Sequence, residues 1–205
     1  MTMLNNEQQQ QVAKAIASVE SKTDAELVAV LAKQSDKYTY IPLLWASLLA
    51  LLAPLVSMLS PLWLETGDIF LAQLIVFLLA AMLFSIPLIS IRLIPKSVRY
   101  YRASNMARRQ FLENNLHHTK NETGVLLFVS EAERYVEIVA DRGINEKVDE
   151  NAWQNIVDQF VSAVKNKQVL QGYLDAIDAC EAILSEHFPA TEAKNELPNK
   201  LVILD

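Results

Sequence analysis

The chain has 205 residues, 52% of them hydrophobic and 20% charged, with a formal net charge of −6, one cysteine and four glycines. A single cysteine excludes an internal disulfide framework, and the apolar content excludes a disordered or low-complexity chain. The length allows one domain, or one domain with an appendage.

The apolar residues are unevenly spread. Residues 38–64 and 69–91 carry no charge, and only Glu65-Thr66-Gly67-Asp68 separates the two runs. A bilayer core of about 30 Å takes about 20 apolar residues in a helix, so Ile41–Leu64 and Ile69–Ile91 each read as a membrane span. Some 40 mostly polar residues come first, unlike a cleaved signal peptide. The turn holds two acids and no base. Beyond the second span come Arg92, Lys96, Arg99, Arg102, Arg108 and Arg109, with no acid among residues 92–109. The positive-inside rule predicts a two-span inner-membrane protein, with both termini cytoplasmic and the turn outside. Tyr38, Tyr40, Trp45 and Trp63 fall near span ends, where aromatics favour the headgroup layer. Neither span carries an ionisable group of the kind a transporter or proton relay needs, so the hairpin reads as an anchor. The six bases are expected to meet the bilayer's anionic headgroups, with one face of the exit helix toward lipid. The rest of the polar part is acidic, which argues against a nucleic-acid partner.

Residues 1–37 and 96–188 read as one domain interrupted by the hairpin, and 189–205 as a tail in which Leu201–Leu204 can dock. Asn5 to Ser21 is a predicted helix with Val12, Ile16 and Val19 on one face. Ala25 to Leu31 is a buried strand, and Lys96 to Leu116 a basic helix. Gly124–Ser130 reads as a strand covered on both faces. Glu131 to Arg134 turns the chain into a second strand, Tyr135–Ala140. Gly143 is expected to supply a positive φ after it. A stripe of Trp153, Ile156, Val157, Phe160, Val161 and Val164 marks a long helix. Tyr173, Ile177, Cys180 and Leu184, after Gly172, mark another. The predicted fold class is α/β, a small mixed sheet with helices on both faces.

The candidate chemistry is sparse. Asp141 and Asp149 could supply oxygens to a hard divalent ion; alternatively Asp149 caps a helix and Asp141 is a solvated strand end. Glu131, Glu133 and Glu137 read as a solvated edge, and Cys180 as a small core residue. His117, His118 and His187 sit at helix ends, and no phosphate-cradling glycine loop is present. No catalytic residue is nominated.

Glu20-x-x-Thr23-x-x-Glu26-Leu27-x-Ala29-Val30, the strand Gly124–Ser130, then Arg134, Glu137-Ile138 and Gly143-Ile144, resemble TPM domains. Trp153, His187-Phe188-Pro189 and Asn195-Glu196-Leu197-Pro198 resemble their bacterial membrane-anchored branch. The likeness covers about 30 residues before the hairpin and 90 after. It implies the fold just described. The relatives include proteins described as phosphatases, photosystem-repair factors and receptor auxiliaries, some binding calcium or other divalent ions. The implied function is a membrane-anchored interaction or assembly module with other membrane or cytoplasmic proteins as partners, or else a divalent-metal-dependent phosphatase-like hydrolase. Asp141-Arg142-Gly143 stands where the extracytoplasmic relatives have Gly-x-Gly, and the resemblance aligns Asp149 with the acid that follows.

Overall fold

A computed structural model describes residues 4–59, 65–191 and 201–204. Pro61, Trp63, Leu64 and the Asn195–Pro198 motif lie outside the described residues. The chain divides into two compact units, residues 1–35 with 100–205, and residues 36–99.

The first unit is built on a four-stranded sheet of order β3-β2-β1-β4. Its strands are β1 (Glu26–Ala32), β2 (Gly124–Ser130), β3 (Tyr135–Ala140) and β4 (Leu201–Leu204). β1 runs parallel to both its neighbours, with Leu27 opposite Val125 and Ala29 opposite Leu201, and β3 is antiparallel to β2. Every residue of β1 and β2 is buried. Side chains alternate between faces, so a strand covered on both sides is apolar along its length, with the polar Glu26 and Ser130 only at strand ends. Leu27, Ala29, Leu31, Val125, Leu127 and Val129 pack on one face under three helices. These are α1 (Asn6–Glu20), α7 (Glu150–Lys165) and α8 (Val169–His187). Val28, Val30, Leu126 and Phe128 pack on the other, against Ala103, Ala107 and Phe111 of α5 (Lys96–Glu113). Burying each such Val, Leu or Phe contributes about 1.5–3 kcal/mol, and two layers of them hold the sheet between its helices.

Local signals set the helix ends. Asn5 caps α1: its Oδ1 accepts from Gln8 N–H at 2.8 Å, and the Gln8 side chain accepts from Asn5 N–H at 2.9 Å. Most of the stripes expected on α7 and α8 meet the core, with Trp153, Ile156, Phe160, Tyr173, Ile177, Cys180 and Leu184 buried, while Val157 and Val161 are only half-buried. Gly172 lies inside α8 rather than before it. The supposed tail contributes β4, where Lys33 N–H donates to Leu204 O at 2.9 Å.

Gly143 has no positive φ. It belongs to a one-turn helix, α6 (Arg142–Asn145), and its lack of a side chain serves close approach instead. A Cβ there would lie 2.4 Å from Asn121 O; at Gly124 it would lie 2.3 Å from Leu116 O.

The second unit is the hairpin: α2 (Tyr40–Leu59), α3 (Thr66–Phe84), the short α4 (Pro87–Leu93) and the start of α5. At about 1.5 Å per residue, α2 and α3 are each about 30 Å long. Both are long and apolar enough to cross a membrane. α2 and α3 pack along each other, with the small Ala46, Ala50 and Ala80 buried. Much of the rest of their described surface is exposed hydrocarbon: Leu59 is 89% exposed and Met82 78%. The second apolar run is not one helix. α3 ends at Phe84, Ser85 and Ile86 intervene, and Pro87 opens α4 at its first position. Proline lacks the N–H that a continuing helix needs but suits a helix start. Trp45 Nε1–H donates to Leu93 O at 3.2 Å, and Tyr38, Ile41 and Ile94 form a small buried cluster.

Candidate functional site

A concavity of the first unit lies along β3. It is a groove of about 870 Å³, and the β3 residues form its floor. Tyr100 and Arg108 of α5 flank one side, and Trp153, Gln154, Val157 and Val161 of α7 flank the other. Among the described residues β3 is an edge strand, with β2 as its one neighbour. Asp141 N–H donates to Gly124 O at 2.8 Å, so in an antiparallel ladder Val139, Glu137 and Tyr135 also turn their backbone groups toward β2. Val136, Ile138 and Ala140 therefore turn theirs outward. Ala140 O accepts from Asn145 Nδ2 at 2.7 Å; the Val136 and Ile138 groups have no backbone partner among the described residues.

The side chains of β3 are ordered around Glu137. This carboxylate accepts from Tyr135 Oη at 2.9 Å and from Ser104 Oγ at 3.3 Å. Tyr100 packs edge-on against Tyr135, 5.1 Å between centroids. Burial, with the neighbouring Glu137 carboxylate, pushes the Tyr135 phenol up to about 12. Glu137 is thus half-buried and hydrogen-bonded, not the freely solvated residue expected from strand alternation.

Glu133 departs further from expectation. It is 1% exposed, accepts from Ser130 Oγ, and accepts the Ser35 N–H at 3.1 and 3.2 Å. Ser35 Oγ donates to Ser130 Oγ at 2.8 Å. A carboxylate in the β2–β3 turn becomes buried because it closes the end of β1, which the turn sequence alone does not reveal.

Asp141 and Asp149 both cap helices. Asp141 Oδ1 accepts from Arg142 N–H at 2.8 Å at the start of α6, so it is not a plain strand end. Asp149 Oδ1 accepts Asn151 N–H and Nδ2–H, both at 2.7 Å, at the start of α7. Among the described residues no three His, Cys, Asp or Glu side chains come together. A hard divalent ion takes six to eight oxygens, so backbone carbonyls and water would have to complete any shell begun by these two carboxylates.

The Glu20–Thr23–Glu26 junction is a buried joint. Thr23 Oγ1 donates to Phe188 O at 2.5 Å and accepts Ala25 N–H at 3.2 Å, tying the start of β1 to the end of α8. Glu20 accepts Leu27 N–H at 3.3 Å. Burial, and then the Glu26 carboxylate beside it, push Glu20 up to about 8. Cys180 is fully buried, which raises its thiol to about 12. His117 and His118 lie on a 3-10 turn with rings 3.9 Å apart, closer than the divergence expected on an α-helix.

The basic residues of α5 differ in their surroundings. Arg102 and Arg109 are exposed, with Arg109 paired to Glu113 at 2.7 Å. Arg108 turns into the groove beside Tyr135, Arg99 is half-buried, and Arg92 and Lys96 are exposed near the α4–α5 junction.

The fold and its surface define an α/β domain with a mixed sheet, interrupted after β1 by an apolar helical hairpin. Residues 90–183 match the family model of the TPM domain, a span running from α4 through most of α8. Residues 90–183 thus carry the likeness to a TPM domain. It is similar in fold to the NMR structure of the BA42 protein from the psychrophilic bacterium Bizionia argentinensis. That likeness has a TM-score of 0.61 and 18% identity, covering 98% of this chain and 94% of that one. No curated protein matches in sequence.

Proposed function

We propose that this chain is a membrane-anchored interaction module, a TPM domain held at the cytoplasmic face of an inner membrane by the α2–α3 hairpin. The observation that carries the reading is the bare apolar surface of two helices, each about one bilayer core in length. Only 6% of the apolar stretch of α3 is buried by the protein. In water such a surface drives aggregation; in lipid it costs nothing and holds the chain in place. Arg92 and Lys96, with Arg102 and Arg109 on exposed positions of the following helix, set the orientation and meet anionic headgroups. The domain then works by binding. The groove along β3 is floored by a strand edge and flanked by aromatic and valine side chains, a surface suited to another polypeptide.

The test is extraction of membranes containing the full chain with alkaline carbonate. An integral hairpin stays in the pellet, and Leu74→Arg with Leu78→Arg, both on exposed positions of α3, lowers the retained fraction. Release of the parent by carbonate would overturn the anchor.

A further inference from the structure

The two edges of the sheet are unequal. β4 is four residues long, and natural sheets often blunt an edge by keeping it short. β3 is six residues, Tyr-Val-Glu-Ile-Val-Ala, with no proline and no lysine. Its one charge, Glu137, is held by the Tyr135 and Ser104 hydroxyls. The outward backbone groups of Val136 and Ile138 therefore present an unguarded, half-buried template for another strand.

The groove is also electrically bipolar. At the Tyr135 end stand Arg134 and Arg108; at the Ala140 end stand Asn145 and Glu150, with Asp149 in the adjoining hollow. Asp158 lies between them on α7. A surface of opposite charges at its two ends fits itself when turned end for end. Antiparallel pairing of two β3 strands about a two-fold axis makes that turn, setting each copy's Arg134 beside the other's Glu150. Such an axis is perpendicular to the sheet, so both copies of α5, the segment that follows the hairpin in sequence, fall on the same side. Val157 and Val161 of the two α7 helices then face each other across the axis on the opposite side.

We infer that the β3 edge is a self-association surface, on which two copies of this chain join their four-stranded sheets into one continuous sheet. This rests on the reading of the domain as a binding module, and it names the partner.

The experiment uses the full chain in lipid nanodiscs or mild detergent, with mass measured over a range of concentrations. The parent is a dimer. Arg134→Glu and Glu150→Arg, both at exposed positions, each weaken dimerisation at least about tenfold, and the double reversal returns within about threefold of the parent. Ile138→Pro removes an outward N–H while sparing the β2 ladder, and yields a monomer; its melting curve reports whether it folds. A dimer indifferent to all three changes overturns the inference. A parent that is monomeric throughout, yet stays in carbonate-washed membranes, also overturns it, gives the edge to a different polypeptide, and leaves the anchored-module reading standing.

Discussion

The Glu133 carboxylate accepts the backbone N–H of Ser35, 98 positions earlier in the chain, at 3.1 and 3.2 Å from its two oxygens. The same carboxylate accepts from Ser130 Oγ, so one side chain in the β2–β3 turn closes the carboxyl ends of both central strands. The hairpin of apolar helices departs from the chain just after Ser35. Glu133 therefore pins the domain's first segment where the insertion leaves it.

Glu133→Ala removes the acceptor and leaves a part-buried N–H and a buried hydroxyl without it. The expected loss is about 2–3 kcal/mol, a fall of about 5–10 °C in melting temperature, read in detergent by circular dichroism. Glu133→Gln keeps one acceptor oxygen and loses less. An unchanged melt in Glu133→Ala would mean the contact does not hold the turn.

Glu20 makes stability depend on pH. Its folded value, about 8, lies above the ordinary 4.5, so the folded state holds a proton that the unfolded chain releases. The stabilisation is full below about 4.5 and is lost as pH rises toward 8. Glu20→Gln, a neutral isostere, flattens this slope, and its melting temperature gains on the parent more at pH 8 than at pH 5. Parallel slopes in the two proteins would remove Glu20 as their source.

Asp149→Ala unmakes the cap of α7 and costs about 1 kcal/mol. The loss is the same in the presence of a chelator, because the partner of Oδ1 is the Asn151 N–H. Asp149→Ser restores most of it. A loss seen only with a divalent ion present would make Asp149 a ligand first and a cap second.

Much of this architecture is legible in the sequence because burial leaves a local mark. Gly124–Ser130 reads as a doubly covered strand since both its faces must be apolar. The period of Trp153, Ile156 and Phe160 gives the buried face of α7 directly. What escapes is set by distant partners. Glu133 looks solvent-facing until Ser35 is placed above it. Leu201–Leu204 is too short to announce a strand and becomes one by joining β1. Pro87 is visible as a helix breaker, yet a long uncharged run hides the end of α3 at Phe84. The groove is less legible still, because a free edge at β3 depends on the order of the strands and not on their content. The bipolar pair Arg134 and Glu150 gains meaning only once that order is known.

The central claim, a TPM domain on the cytoplasmic side of an anchoring hairpin, is tested most directly by cysteine labelling in intact cells. The native Cys180 is fully buried with a raised thiol, and stays silent while the domain is folded. One variant carries Gly67→Cys in the first turn of α3, where nothing lies within 4 Å of an added Cβ, and another Arg142→Cys on the exposed start of α6. With a membrane-impermeant maleimide, Gly67→Cys reacts in intact cells, while Arg142→Cys reacts only after lysis. The reverse pattern, or equal labelling of both in intact cells, would contradict the account.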